Sequence, residues 1–386
     1  MVYSILFFIL YRSKRPHYNL NKILNVFVLT VLLMNIPIAL LSLKKQNTLK
    51  QQINPFLTSN RDGAKSVIAA DESFPDVYYI ILDGYAGEKT LQQFYADKNP
   101  ELYQFLRGKG FYVADSSRAN YPYTAVSLSS SLNMGYLDSP IQGTNPFELV
   151  RNNSVDYVFK KANYRVVNIE SGFAVTENLS GVDKTIGTNA LNEFENRLLE
   201  LTILRLDDVL GFSHYVRLKN EFKQLKDFLK EQGPKFSFIH IVSPHPPYVV
   251  DSSGKRKVRT SVSDMAWEPR SNYLQQLKFV SKQIMDFIEL LMANAERHPI
   301  IIIQSDHGPF IQDKNPLNVY EARSRILNAY YAPDSIKKNL YPGITPVNSF
   351  RIIFSQLLGG NYPLLPDRPF DYTGLQTDIT FKSYVR

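Results

Sequence analysis

The chain has 386 residues, 44% of them hydrophobic, and Lys+Arg 44 against Asp+Glu 36 give a formal net charge of +8. That is room for one large domain or two smaller ones with a substantial core. The basic excess is modest and spread out, so a nucleic-acid arm is excluded and no nucleic acid is expected as a partner. The absence of cysteine excludes disulfides and thiol chemistry without fixing the compartment, since an exported protein can lack Cys.

The N-terminus does not read as globular. Residues 1–11 are apolar but too short to span a bilayer, and Arg12, Lys14, Arg15 and His17 follow. A second apolar run, Ile23 to Leu43, is interrupted only by Asn25, Thr30, Asn35, Pro37 and Ser42. About 20 residues suffice for a transmembrane helix, and Pro37 is tolerated in one. Leu41-Ser42-Leu43-Lys44-Lys45 is a poor cleavage site, which favours an anchor over a signal peptide. The loop Arg12–Lys22 holds one more Lys/Arg than the segment with Lys44, Lys45 and Lys50. By the positive-inside rule the loop is cytoplasmic and everything after Leu43 lies outside. The expected organisation is a membrane region 1–43 with a transmembrane helix at 23–43, a polar linker at 44–74, and an extracytoplasmic catalytic domain at 75–386 in the cell membrane.

From Pro75 onward strands and helices alternate. Asp76 to Gly84 reads as a buried strand ending in an acid and a glycine. Glu88 to Gly108 reads as one helical stretch, and Phe111 to Val113 as a short strand. Tyr164 to Ile169 is the next strand, followed by helical spacing at Leu191 to Leu210 and an amphipathic helix from Leu218 to Gln232 that stops at Gly233-Pro234. Phe236 to Val242 is a strand that runs into Ser243-Pro244-His245-Pro246-Pro247-Tyr248. Residues 251–270 read as a polar excursion over the strand ends. A long helix, Tyr273 to Ala295, feeds the run Ile300-Ile301-Ile302-Ile303, which suits a strand buried on both faces. Ile326 to Tyr331 is a later strand or edge, and Val347 to Leu358 a helix. This alternation predicts an α/β fold, a mostly parallel sheet with helices on both faces.

Three strand ends supply the chemistry, and in such sheets ligands bind beyond the carboxyl ends of the strands. Asp83 ends the first strand, and Asp306-His307 follows the isoleucine run. His240 and His245 belong to the strand between them and its loop. Asp83, Asp306 and His307 are candidate ligands for one divalent ion, Zn or Mn with Mg as a further option. His240 reads first as a satisfied core histidine. His245, between prolines, is more exposed to a ligand. Asn120 through Asn133 is rich in hydroxyls and can start a helix just after Pro122, whose free N–H groups favour an anion. Alone, this turn reads as ordinary capping. Flanked by metal-type residues, it becomes a candidate nucleophile region.

Together these residues resemble the alkaline phosphatase/sulfatase superfamily. The nearest likeness is to its membrane-anchored branch, which includes lipoteichoic acid synthases and phosphoethanolamine transferases. The segment at Asp83 is similar to the branch's first acidic ligand. Tyr123-Thr124-Ala125-Val126-Ser127 is similar to its nucleophile turn, and Ser305-Asp306-His307-Gly308 to its closing motif. Ser243 to Tyr248 resembles the loop whose His meets the substrate. The resemblance implies a three-layer α/β/α sandwich and Thr124 as metal-activated nucleophile and metal ligand beside Asp83, Asp306 and His307. It further implies His245 at the substrate head group or leaving oxygen. Asn120 and His240 are further candidate substrate contacts, outside the resemblance.

Several features depart from the pattern. Asp83 stands where Glu is usual in the branch, the formylglycine signature is missing, and a full second-metal set is not evident. The membrane part is also shorter than the usual bundle. The expected function is membrane-anchored transfer of a phosphoryl group from a lipid head-group or envelope-glycan phosphodiester. Hydrolysis of a phosphate or sulfate ester is the first alternative, and a non-catalytic envelope protein the second.

Overall fold

The computed structural model describes residues 57–137, 145–187, 212–228, 234–257, 267–295 and 297–370, with isolated positions in 18–36 and 190–195. The chain divides into two compact units, Met1–Pro55 and Phe56–Arg386. In the first, the described positions between 18 and 36 are mostly helical, and Val26, Phe27, Leu29, Leu33 and Ile36 are exposed. Most of the expected helix 23–43, all of 1–11 and the helical spacing at 196–210 lie outside the described residues. Among the described residues no helix is long and apolar enough to cross a membrane.

The second unit is built on a seven-stranded sheet. Its strands are β1 (Val77–Leu82), β2 (Tyr112–Val113), β3 (Arg165–Ile169), β4 (Lys184–Ile186), β5 (Lys235–Ile241), β6 (Ile300–Gln304) and β7 (Asn328–Tyr331), in the order β2-β7-β6-β1-β5-β3-β4. β6, β1, β5, β3 and β4 are mutually parallel, while β7 runs antiparallel to β6 and β2 antiparallel to β7. The sheet is therefore mixed and mostly parallel. The Ile326–Tyr331 segment, read as a strand or edge, is an interior strand next to the β2 edge.

Alternation along β1 explains the layers. Tyr78, Ile80 and Leu82 face one core, shared with Leu91, Leu106, Leu225, Ile284 and Phe287. Val77, Tyr79 and Ile81 face a second core with Leu128, Val158, Phe159, Phe350 and Phe354. All six β1 residues are buried, as expected of a strand covered by helices on both faces. Helices Glu101–Gly108, Phe212–Phe228 and Arg270–Asn294 supply one layer. Helices Thr124–Asn133, Ser154–Lys161 and Pro346–Leu357 supply the other.

Two details differ from the sequence reading. The single helix expected over 88–108 is two, Glu88–Phe94 and Glu101–Gly108. Ala96 takes a left-handed backbone (φ 54), and Pro100, which disfavours a helical residue before it, caps the second helix. The linker was expected to run to residue 74, yet a short 3-10 helix, Asp62–Ser66, buries Ala64. Ile68 N donates to Leu358 O at 2.9 Å and Ala70 N to Ala162 O at 2.8 Å. Residues from Leu57 on thus pack as part of the second unit, because two backbone donors and a buried alanine tie them to it.

Candidate active site

The parallel strands point their carboxyl ends the same way, and the chemistry-bearing residues lie just past them. Asp83 follows β1, and its N–H donates to Ile241 O on β5 at 3.0 Å. Gly84 then turns with φ +70, a conformation suited to glycine, and a Cβ there would come within 2.5 Å of the Trp267 ring. The Gly84 N–H donates to Asp306 Oδ1 at 3.0 Å. Past β6, Ser305 Oγ donates to Tyr85 O at 2.7 Å and accepts from Leu327 N at 3.0 Å, stitching three strand ends together. Gly308 permits the close turn that follows, since a Cβ would meet Ala322 O at 2.0 Å.

Thr124 begins the helix Thr124–Asn133, and no side chain caps its first turn. Ser127, one turn on, donates to Asp306 O at 2.7 Å and so fastens this helix to the β6 end. Thr124 Oγ1 lies 3.1 Å from His307 Nε2 and 3.4 Å from Asp83 Oδ2. His307 Nε2 is 3.2 Å from Asp306 Oδ2 and 3.8 Å from Asp83 Oδ1. Ligand atoms of Asp83, Asp306 and His307 all lie within 4.8 Å of one another, and all three residues are buried.

This arrangement fits a divalent cation. His307 Nδ1 contacts Gly308 O at 3.1 Å; a carbonyl only accepts, so Nδ1 carries the proton and the Nε2 lone pair faces the cluster. Asp83 Oδ1 and Asp306 Oδ2 are buried without a hydrogen-bond partner among the described residues. A lone pair and two carboxylate oxygens therefore converge with the single Thr124 hydroxyl as the donor beside them, too little to offset two buried carboxylates, an arrangement that is costly until a cation joins it. The electrostatics agree. Burial and the neighbouring Asp83 charge push the Asp306 carboxyl up. Burial would raise Asp83 too, but His245 and the contact with His240 outweigh it and hold Asp83 below the usual range. Burial and the Arg323 charge hold His307 well below an ordinary imidazole.

The remaining expected residues fall into two groups. His245 is near the cluster: its ring centroid is 6.5 Å from that of His307 and 4.8 Å from that of Trp267. His245 N donates to Asp83 O at 3.1 Å. His240, on β5 beside Ile81, is buried with Nε2 3.4 Å from Asp83 Oδ2. Asn120 is engaged in the scaffold, its Nδ2 donating to Arg368 O at 3.0 Å and its Oδ1 accepting from Val347 N at 3.0 Å.

Two further residues shape the site. Arg323 is buried and donates from Nε to Pro122 O and from Nη1 to Gly308 O, each at 2.8 Å. It thereby ties the turn before Thr124 to the turn after His307. Burial pulls its guanidinium down to about 10, against the attraction of Asp306 and Asp83. Trp267, the only tryptophan of the chain, packs against His245 and His307. No local pattern marks Arg323. Trp267 was detectable only as a lone large aromatic at the end of the polar excursion 251–270.

Fold and site define a metal-binding hydrolase or transferase on a three-layer α/β/α scaffold. A family model described as Sulfatase matches residues 75–352. The chain belongs to the sulfatase family, within the alkaline phosphatase/sulfatase superfamily, and is an enzyme of that type. Solved structures share the fold at low identity. The C-terminal periplasmic domain of EcEptC from Escherichia coli is 15% identical, with TM-score 0.52, covering 78% of this chain and 89% of that one. Its complex with Zn gives 14%, 0.53, 78% and 86%. The lipoteichoic acid synthase LtaP from Listeria monocytogenes gives 15%, 0.50, 81% and 79%. None of the curated proteins matches the chain.

Proposed function

We propose that the chain transfers a phosphoryl-type group from a phosphodiester of a lipid head group or envelope glycan, with Thr124 as nucleophile. The observation that carries this reading is the Thr124 hydroxyl at an uncapped helix N-terminus, 3.1 Å from His307 Nε2 and 3.4 Å from Asp83 Oδ2. Asp83, Asp306, His307 and Thr124 would hold one divalent ion, Zn or Mn or else Mg, which supplies Lewis-acid polarisation and a lowered hydroxyl pKa when bound. The EcEptC domain was solved with Zn, which agrees with this donor set.

The chain's own residues then divide the work. Thr124 Oγ1 loses its proton to water and attacks phosphorus, forming the O–P bond of a phosphothreonine while the bond to the leaving oxygen breaks. First-turn N–H groups of the helix Thr124–Asn133 face the developing charge on the equatorial oxygens. His245 Nδ1 donates to Pro246 O at 2.7 Å, which leaves Nε2 to carry a proton to the leaving oxygen. A sugar hydroxyl or water takes the group in the second step. The exposed apolar positions among residues 23–36 and the periplasmic domains of similar fold support a membrane-anchored, extracytoplasmic enzyme.

The test is isotopic and mass-spectrometric. A labelled head-group donor is supplied with lipid or glycan acceptors, and the label is followed onto acceptor or into water. Label on the acceptor and an added mass on Thr124 are expected, both lost in Thr124→Ala. Label released only into water would make the enzyme a hydrolase. Full turnover in Thr124→Ala would end the scheme.

A further inference from the structure

The buried imidazole of His240 is not used by the chemistry above, yet it sits against the first acidic residue of the cluster. Its Nε2 is 3.4 Å from Asp83 Oδ2. Its Nδ1 is 3.0 Å from Thr176 Oγ1, which in turn is 2.9 Å from Ser171 Oγ. Ser171 Oγ accepts from the Phe173 N–H at 3.1 Å. His240, Thr176 and Ser171 are all buried.

The Asp83 carboxylate beside Nε2 favours one tautomer. An ionised carboxylate only accepts, so a lone pair on Nε2 would face the lone pairs of Asp83. With the proton on Nε2, Nδ1 is an acceptor and takes the Thr176 hydroxyl. Thr176 then accepts from Ser171, and Ser171 from the backbone of Phe173. Of the two acceptors near the Thr176 hydroxyl, His240 Nδ1 at 3.0 Å is closer than Phe173 O at 3.4 Å, so the contacts lead from the loop after β3 toward Asp83.

We infer that His240 is a positioning residue that turns the Asp83 carboxylate, fixing which of its oxygens is presented to the metal cluster. Oδ2 lies between His240 and Thr124, while Oδ1 has no hydrogen-bond partner among the described residues and lies toward His307. His240 Nε2 stands 3.4 Å from one oxygen without closing a hydrogen bond in this structure, and from there it can hold the carboxylate so that the other oxygen is presented to the cluster. Partners that orient a ligating carboxylate in this way are worth about 10- to 100-fold in metal affinity. The loop Ser171–Thr176 thereby becomes part of the site without touching it.

The inference rests on the proposed ligand set, and the test separates the two. Full chain stripped of metal is titrated calorimetrically with Zn²⁺ and with Mn²⁺, for wild type, His240→Ala, His240→Gln and Thr176→Val. Gln carries an N–H at about the reach of imidazole Nε2 but is a poor ligand. Wild type is expected to bind one ion. His240→Ala should bind about 10- to 100-fold more weakly, His240→Gln should recover most of that loss, and Thr176→Val should fall between. Unchanged affinity in His240→Ala would make His240 core packing and overturn the inference while the ligand set stood. Equal weakness in Gln and Ala would make His240 a ligand itself, which also overturns it. A wild type that binds neither ion removes ligand set and inference together. Should His240→Ala fail to fold, His240→Gln and Thr176→Val decide, since Thr176→Val leaves the imidazole in place: Gln near wild type with weakened Val supports the inference, and any other pattern overturns it.

Discussion

The Gly84 N–H donates to Asp306 Oδ1 at 3.0 Å, so the backbone past β1 holds a carboxylate past β6. β1 and β6 are adjacent and parallel, which brings the two ends together by register alone. Only the turn at Gly84, with φ +70, aims the amide across the gap.

Gly84→Ala should therefore damage the site as well as the fold. The left-handed backbone disfavours a Cβ, and that Cβ would come within 2.5 Å of Trp267. A loss of about 2–4 kcal/mol is expected, measured by denaturant unfolding. Trp267 packs on His245 and His307, so tryptophan fluorescence of the folded variant should shift. An unchanged emission spectrum with wild-type stability would contradict this account of the turn.

Metal loading should stabilise the protein. Two buried carboxylates share the site, and saturating an ion that binds only the folded state at about 100 times its Kd adds about 2.7 kcal/mol. Thermal melts of stripped protein should rise by several degrees on adding Zn²⁺ or Mn²⁺. Asp306→Asn removes one member of the like-charged pair. It should melt at or above stripped wild type and lose the response to metal. A variant that still gained the full shift would place the ion elsewhere.

Arg323 links the turn before Thr124 to the turn after His307 through Pro122 O and Gly308 O. Arg323→Lys keeps the charge but not the fork that reaches both carbonyls. A stability loss of about 1–3 kcal/mol is expected, with kcat lowered by about 10- to 100-fold through displacement of the Thr124 hydroxyl. Wild-type kcat and stability together would show that the two turns hold themselves.

The cluster of Asp83, Asp306 and His307 was foreshadowed in the sequence because these residues follow apolar strands whose ends are marked by charge and glycine. Asp83, Asp306 and His307 are read that way, while the turn after Pro122 marked only a hydroxyl-rich region and the family resemblance singled out Thr124 within it. The helices over both faces followed from the near-continuous apolar runs of β1 and β6. Arg323 was not legible, since its partners are backbone carbonyls about 200 and 15 residues away. The His240–Asp83 contact depends on the register Ile81↔His240 between β1 and β5, which no local pattern encodes. β4 escaped notice because its Lys184–Ile186 stretch is short and only partly buried. The break at 95–100 was hidden by apolar spacing that continues across it.

A pH effect on stability should arise far from the metal cluster. Asp156, in the first turn of the helix Ser154–Lys161, is buried, and that burial pushes its carboxyl up to about 7. Asn153 offsets this in part, donating from Nδ2 to Asp156 Oδ2 at 2.7 Å while its Oδ1 accepts from Asp156 N at 2.8 Å. Lys160 and Arg61 also favour the ionised form, and Asp183 opposes it. The folded pKa thus lies above the ordinary value of 3.8. Between those two values the folded state holds a proton that the unfolded state has lost. Stability from this group is complete below the lower value and declines as pH rises toward 7, by at most about 1.4 kcal/mol per pH unit. Asp156→Asn keeps the shape and removes the titration. Its stability relative to wild type should rise steadily between pH 4 and pH 7 and level off above, by a total on the order of a few kcal/mol. Urea unfolding of both proteins across that range checks it, and parallel curves would mean that Asp156 ionises at its ordinary pKa in the folded chain.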